Sequence, residues 1–159
     1  MVLSWLKRIE RKEAPLMLKT RSKSIDTILL KNLFRKEIFD IDFRGAVDDF
    51  NSAEYSKAYK AIFKLWQRSE TCNRKFFYQA LLKTCAALEL INQGKLEGSK
   101  LIYRAAVNQL LTFSSLERPI NISLLVDGMI KYFDFVDHDL DPLNNDIQIV
   151  GRPKLEISF

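Results

Sequence analysis

A single histidine and two cysteines are all that this sequence of 159 residues offers to the commonest metal and nucleophile chemistries. One histidine, His138, excludes multi-histidine metal centres and makes any Ser-His or Cys-His arrangement depend on that residue alone. It stands in "DFVDHDLDP", among carboxylates, where a solvated loop histidine is the expectation. Asp137, Asp139 and Asp141 alternate like the start of a calcium loop. Pro142, however, occupies the place of that loop's sharp-turn glycine, and Gln148 the place of its closing glutamate. No metal site and no cofactor is therefore expected. Cys72 and Cys85 do not make a disulfide framework. Cys85, inside "LLKTCAALEL", reads as a small buried thiol, so both cysteines are expected reduced and the compartment reducing. With only five Gly and four Pro the chain has no Gly-rich phosphate loop. No apolar run reaches the length of about eighteen residues that a membrane-spanning helix needs. The start, "MVLSWLKRIERKE", has too short an apolar part for a secretory signal, and Glu10 and Glu13 are out of place in a transit peptide.

What is present is the composition of a helix-rich protein with one core: 47% hydrophobic and 28% charged residues in a chain long enough to bury roughly 70% of its unfolded surface. The formal charge of +5 is unevenly spread. Residues 1–36 hold Lys7, Arg8, Arg11, Lys12, Lys19, Arg21, Lys23, Lys31, Arg35 and Lys36 against Glu10, Glu13 and Asp26, which leaves the remainder slightly acidic. Basicity thus belongs to an N-terminal arm, residues 1–40.

Apolar spacing predicts a short helix over residues 2–12 and a second carrying Ile28, Leu29, Leu33, Phe34 and Ile38. A short helix in "DFRGAVDDFNSAEY" follows, closed by Asn51-Ser52, with Ser52 positioned to cap the next. The strongest pattern lies in three central helices. Tyr55, Ala58, Tyr59, Ile62, Leu65 and Trp66 share a face of the first; Phe77, Leu81, Thr84, Leu88 and Ile91 mark the second. Gly94 makes a turn, and Leu96, Ser99, Tyr103, Ala106, Leu110 and Phe113 form the seam of the third. "NISLLVDGMIKYFDFV" adds a helix capped by Asn121 or Ser123, with Leu124, Leu125, Met129, Tyr132, Phe133 and Val136 apolar. The expected fold class is all-α: a compact bundle of about five to seven helices, its core over residues 41–137. Residues 138–159 read as an acidic loop and an extended or hairpin tail. "FNSAEYSKAYKAI" and "INQGKLEGSKLIY" also align with each other at an offset of 41 residues, as in tetratricopeptide-type helix pairs, although that repeat usually has a period of about 34.

Phe50-Asn51, Glu54-Tyr55, Ala58 and Trp66, then Phe77, Gln79, Ala86-Ala87-Leu88, Gly94 and Gly98, resemble the domain-of-unknown-function family numbered 309. That family is all-helical and occurs in bacteria, archaea and plastids. The resemblance covers roughly residues 43–113. It implies a pocket between the first two central helices, with candidates Tyr55, Tyr59, Trp66 and Gln79. Members typically carry His-Glu where this chain has Tyr59-Lys60, so the chain resembles a divergent member without the parts that ligate or move protons. Tyr59 cannot serve as an imidazole base near neutral pH. It is expected instead to seal a dry seam, its hydroxyl bonded to Gln79 or a backbone carbonyl.

The expectation for function is a non-enzymatic binding or scaffold protein that docks into a larger assembly through its basic arm and its C-terminal tail. Leu3, Trp5, Leu6, Lys7, Arg8, Ile9, Arg11 and Lys12 are the partner-binding candidates, since an apolar tip at helical spacing suits a groove on another protein. A membrane surface or membrane-protein partner is a second option. Nucleic acid is a weaker one, because aromatics for base stacking are sparse in the arm. An enzyme or ligand-binding protein with a degenerate polar pocket is the alternative. An abundance of Lys, Asn, Ile and Phe, with the resemblance, points to plastid stroma or cytoplasm as the location, at the periphery of a membrane or free of it.

Overall fold

The computed structural model describes residues 41–114, 120–138 and 151–157. The two helices expected before residue 41, with the basic arm, lie outside the described residues, as does most of the acidic loop.

Five helices occur among the described residues: α1 (Ile41–Asn51), α2 (Tyr55–Arg68), α3 (Cys72–Asn92), α4 (Leu96–Leu111) and α5 (Ile122–His138). The all-α bundle expected from the apolar spacing is what forms. Each helix packs against the next in the chain, because the turns between α1 and α2, α2 and α3, and α3 and α4 are too short for any other neighbour. In α1 the buried residues are Phe43, Ala46, Val47 and Phe50, one stripe at helical spacing; in α2 they are Tyr55, Ala58, Ile62 and Leu65. Helix α3 differs. Residues 77–82 and 84–88 are buried in succession, so this helix is covered on nearly every side and forms the axis of the bundle. Its small Ala87 lets α4 approach, and Ser99 Oγ donates to the Ala87 carbonyl at 2.6 Å. Phe113, just past α4, wedges its ring edge-on against Phe77. Tyr103 stacks on Phe133 at 4.0 Å between ring centres and joins α5 to α4.

The offset of 41 residues seen in the sequence recurs as one turn used twice. Glu54 N–H donates to Asp49 O and Lys95 N–H to Leu90 O; Ala53 N–H donates to Phe50 O and Gly94 N–H to Ile91 O. This is the hydrogen-bond pattern of a helix end closed by a left-handed residue. That residue is Gly94 (φ 71°) in one copy and Ala53 (φ 62°) in the other. The expected cap at Ser52 is not made: Glu54 takes the N-cap position of α2 and makes no side-chain cap, because the turn satisfies the chain through its backbone. Asn121 does cap α5, its Oδ1 accepting from Leu124 N–H at 3.0 Å. Leu124, expected on the apolar face, is 43% exposed; Ile122 and Val126 are buried in its stead.

Residues 151–157 form no helix and pack as a strap. Asn51 holds both backbone groups of Leu155, accepting from its N–H and donating to its carbonyl at 2.9 Å each. Ile157 pairs with Ile120 in an antiparallel bridge. A Cβ at Gly128 would stand 3.3 Å from Pro153 Cα, so glycine is what lets the strap lie flat on α5. Leu155 is buried, which contributes about 2 kcal/mol to holding the strap.

The paired turns yield a prediction. A left-handed alanine costs about 1 kcal/mol. Ala53→Gly should therefore stabilise the protein by up to that amount and Gly94→Ala should destabilise it comparably, as measured by denaturant melts. A stability loss on Ala53→Gly would mean that its methyl contact with the core outweighs the backbone strain.

Candidate functional site

Helix α2 turns its most buried face toward α1 and α3, which leaves Tyr59, Phe63 and Trp66 half-buried along the flank of that face. Across from them α3 presents Cys85 and Ala86. Large rings opposite two small side chains cannot fill the space between the helices, and a groove of about 620 Å³ remains. Its walls also include Tyr55, Ser56, Lys60, Lys64, Gln67 and Glu89. Tyr59 and Phe63 lie nearly parallel, 6.4 Å apart at an interplanar angle of 4°, and Phe63 stacks on Trp66 at 5.5 Å. The Lys75 ammonium sits 5.6 Å from the centre of the Trp66 ring, within range of its negative face.

The electrostatics of the floor are those of neutral donors. Burial pushes the Tyr55 phenol up to about 12, while the neighbouring Arg152 guanidinium pulls the other way without the alignment of a full hydrogen bond. Tyr59 also rises to about 12, first by burial and then by proximity to Cys85. Burial pushes the Cys85 thiol well above its ordinary value. All three therefore keep their protons near neutrality. The hydroxyls of Tyr55 and Tyr59 and the Trp66 indole N–H are buried with no hydrogen-bond partner among the described residues. Arg74 Nε is also buried without a partner among them, whereas along α3 Thr84 Oγ1 donates to Ala80 O at 2.9 Å, and Gln109 Nε2 donates to Gln79 Oε1 at 3.0 Å and Phe76 O at 2.7 Å.

Two expectations need correction here. The seam at Tyr59 is not sealed; it opens into the groove. Nor does Gln79 meet Tyr59, because it lies about two turns, some 10 Å, along α3 from Ala86, and its side-chain carbonyl is taken by Gln109. Of the four pocket candidates, Tyr55 and Tyr59 line the groove, Trp66 ends its aromatic row, and Gln79 belongs to the α3–α4 seam. The arm residues Leu3 to Lys12 lie outside the described residues. His138 ends α5 rather than standing in a loop, with Nδ1–H donating to Asp134 O at 2.7 Å. Asp137 bonds to Lys100, which also meets Glu97 at 3.2 Å. The Lys100 ammonium holds the Asp137 carboxyl below its usual range. Among the described residues no group of three His, Cys, Asp or Glu is placed to hold a metal, and no helix is long and apolar enough to cross a membrane. Sequence reasoning missed Phe63, Lys60 and Lys64 as groove residues; the small pair Cys85-Ala86 opposite an aromatic-rich helix was the available signal.

Comparison with protein-family models, with curated proteins and with solved structures finds no match for this chain.

Since Tyr59 carries an unmet donor, Tyr59→Phe should be neutral or stabilising by about 1 kcal/mol, rather than costing a hydrogen bond. The phenol pKa values near 12, against the ordinary 10, mean that the folded state holds its protons more tightly. Stability should thus be level below pH 10 and fall as pH rises from 10 towards 12. Melts of the wild type and Tyr59→Phe across that window check both; a flat wild-type profile would contradict the burial of the phenols.

Proposed function

We propose that this chain is a binding protein and not an enzyme, and that the α2–α3 groove is its recognition surface. The observation that carries the reading is the chemistry of the groove: aromatic rings and small apolar groups over a floor of phenols and a thiol held in their protonated forms. Such a floor supplies apolar area and donors, and its phenols and thiol hold their protons near neutral pH, whereas general acid–base work requires a group that changes protonation there. Grooves of roughly 300–1,000 Å³ between the helices of bundles are ordinary places for an apolar ligand with a few polar anchors.

The basic N-terminal segment, with Trp5, Leu6 and Ile9 at helical spacing, would attach this platform to a larger assembly. The described part of the C-terminal tail is used within the fold, so attachment falls to the N-terminal arm. The resemblance to the all-helical family numbered 309 is compatible with this reading, as a member whose pocket has exchanged proton-moving groups for apolar ones.

Ser56 is exposed and lines the groove, so Ser56→Trp would obstruct it without disturbing the core. Tagged protein recovered from its native source should lose its groove ligand in Ser56→Trp while keeping wild-type stability. Deletion of residues 1–13 should instead release the assembly and leave the groove occupied. Identical co-purifying material from wild type and Ser56→Trp, by native mass spectrometry, would remove the groove from the reading.

A further inference from the structure

The groove's size and charge narrow what it takes, on the reading just given. We propose that its occupant is a single long-chain acyl carboxylate, the chain lying along the Tyr59 and Phe63 rings and the carboxylate held between Lys60 and Lys64.

Charge comes first. Helix α2 carries four cations, Lys57, Lys60, Lys64 and Arg68, and no acid. Lys57 is engaged by Glu54 at 3.4 Å and Arg68 by Asp42 at 3.0 Å. Lys60 and Lys64, the two that line the groove, have no ion partner among the described residues. They stand one turn apart, with Cβ atoms about 6 Å from each other, so one carboxylate can lie between both ammonium groups. Glu89, on the α3 wall, has its carboxylate occupied by Gln93 Nε2 at 3.2 Å. Its negative charge disfavours an anionic head on that side and leaves the α2 rim as the place for it.

Shape comes second. The groove runs from Tyr55 to Gln67, about 18 Å of helix, and is floored by rings, Cys85 and Ala86. One extended hydrocarbon chain fits lengthwise. The Tyr55 hydroxyl, on a residue only 2% exposed and with the Arg152 guanidinium as its neighbour, closes one end of this groove.

Calorimetric titration of the full chain with laurate, octanoate, dodecanol and vesicles of anionic phosphatidylglycerol tests the proposal. Laurate should bind one to one and more tightly than octanoate, by roughly threefold to fourfold for each added methylene. Dodecanol should bind about tenfold more weakly than laurate for want of the charge-assisted contacts. Lys60→Gln with Lys64→Gln should weaken laurate by a similar factor and leave dodecanol unchanged, and Ser56→Trp should abolish both. Laurate binding that survives Ser56→Trp, or shows no chain-length dependence, would overturn the proposal. Binding to vesicles without binding to monomeric laurate would equally overturn it, in favour of a membrane surface. If laurate fails but Ser56→Trp still sheds material from the natively purified protein, the ligand class falls and the groove reading stands; if neither changes, both fall.

Discussion

Burial of α3 along almost its whole length is the constraint on which the other elements depend. A helix covered on every side must find a partner for each polar group it carries, since an orphaned one costs about 1–3 kcal/mol. Thr84 meets that demand within α3 by bonding to Ala80, and the α3–α4 seam meets it with short, specific bonds of Ser99 to Ala87 and of Gln109 to Gln79 and Phe76. Once α3 and α4 are fixed in register by these contacts, α2 is left to cover the opposite flank, and α1 follows by the short turn at Ala53. The strap at residues 151–157 then ties the two ends of the bundle, joining Asn51 of α1 to the start of α5 through Leu155 and Ile157.

The α2–α3 seam is built to a different standard. Where α4 meets α3 through complementary small and large residues, α2 sets three rings against Cys85 and Ala86 and leaves donors unpaired at the contact. The α2–α3 seam thus keeps free space and unpaired donors where the α3–α4 seam pairs Ser99, Gln79 and Gln109. The lysines beside it share that logic. Cations at either end of α2 are paired, and those along the groove have no ion partner among the described residues.

Much of the architecture was legible before any coordinates. Helical periodicity located α2, α3 and α4 because their buried residues recur at three and four residue steps, and Gly94 marked a turn because only that residue takes a left-handed backbone without strain. Asn121 was readable as a cap for the same local reason. Ser52 misled because Ala53, a residue with no turn signature, adopts the left-handed conformation and the backbone closes the helix end on its own. The partner of Gln79 was hidden because Gln109 lies thirty residues away and meets it only across a helix pair. Tyr59 read as core because spacing reports which face a residue occupies, and cannot report whether the facing helix brings enough volume to cover it.

The sequence by itself determined the helices, their order and the stripe each would bury, since those follow from local periodicity, turn chemistry and the length of the connections. Tertiary structure alone decided that α3 would be the axis, that the tail would strap α1 to α5, and that a groove would open beside Tyr59. Each of these depends on how much volume two distant segments bring to the same place, a sum that no single stretch of chain contains.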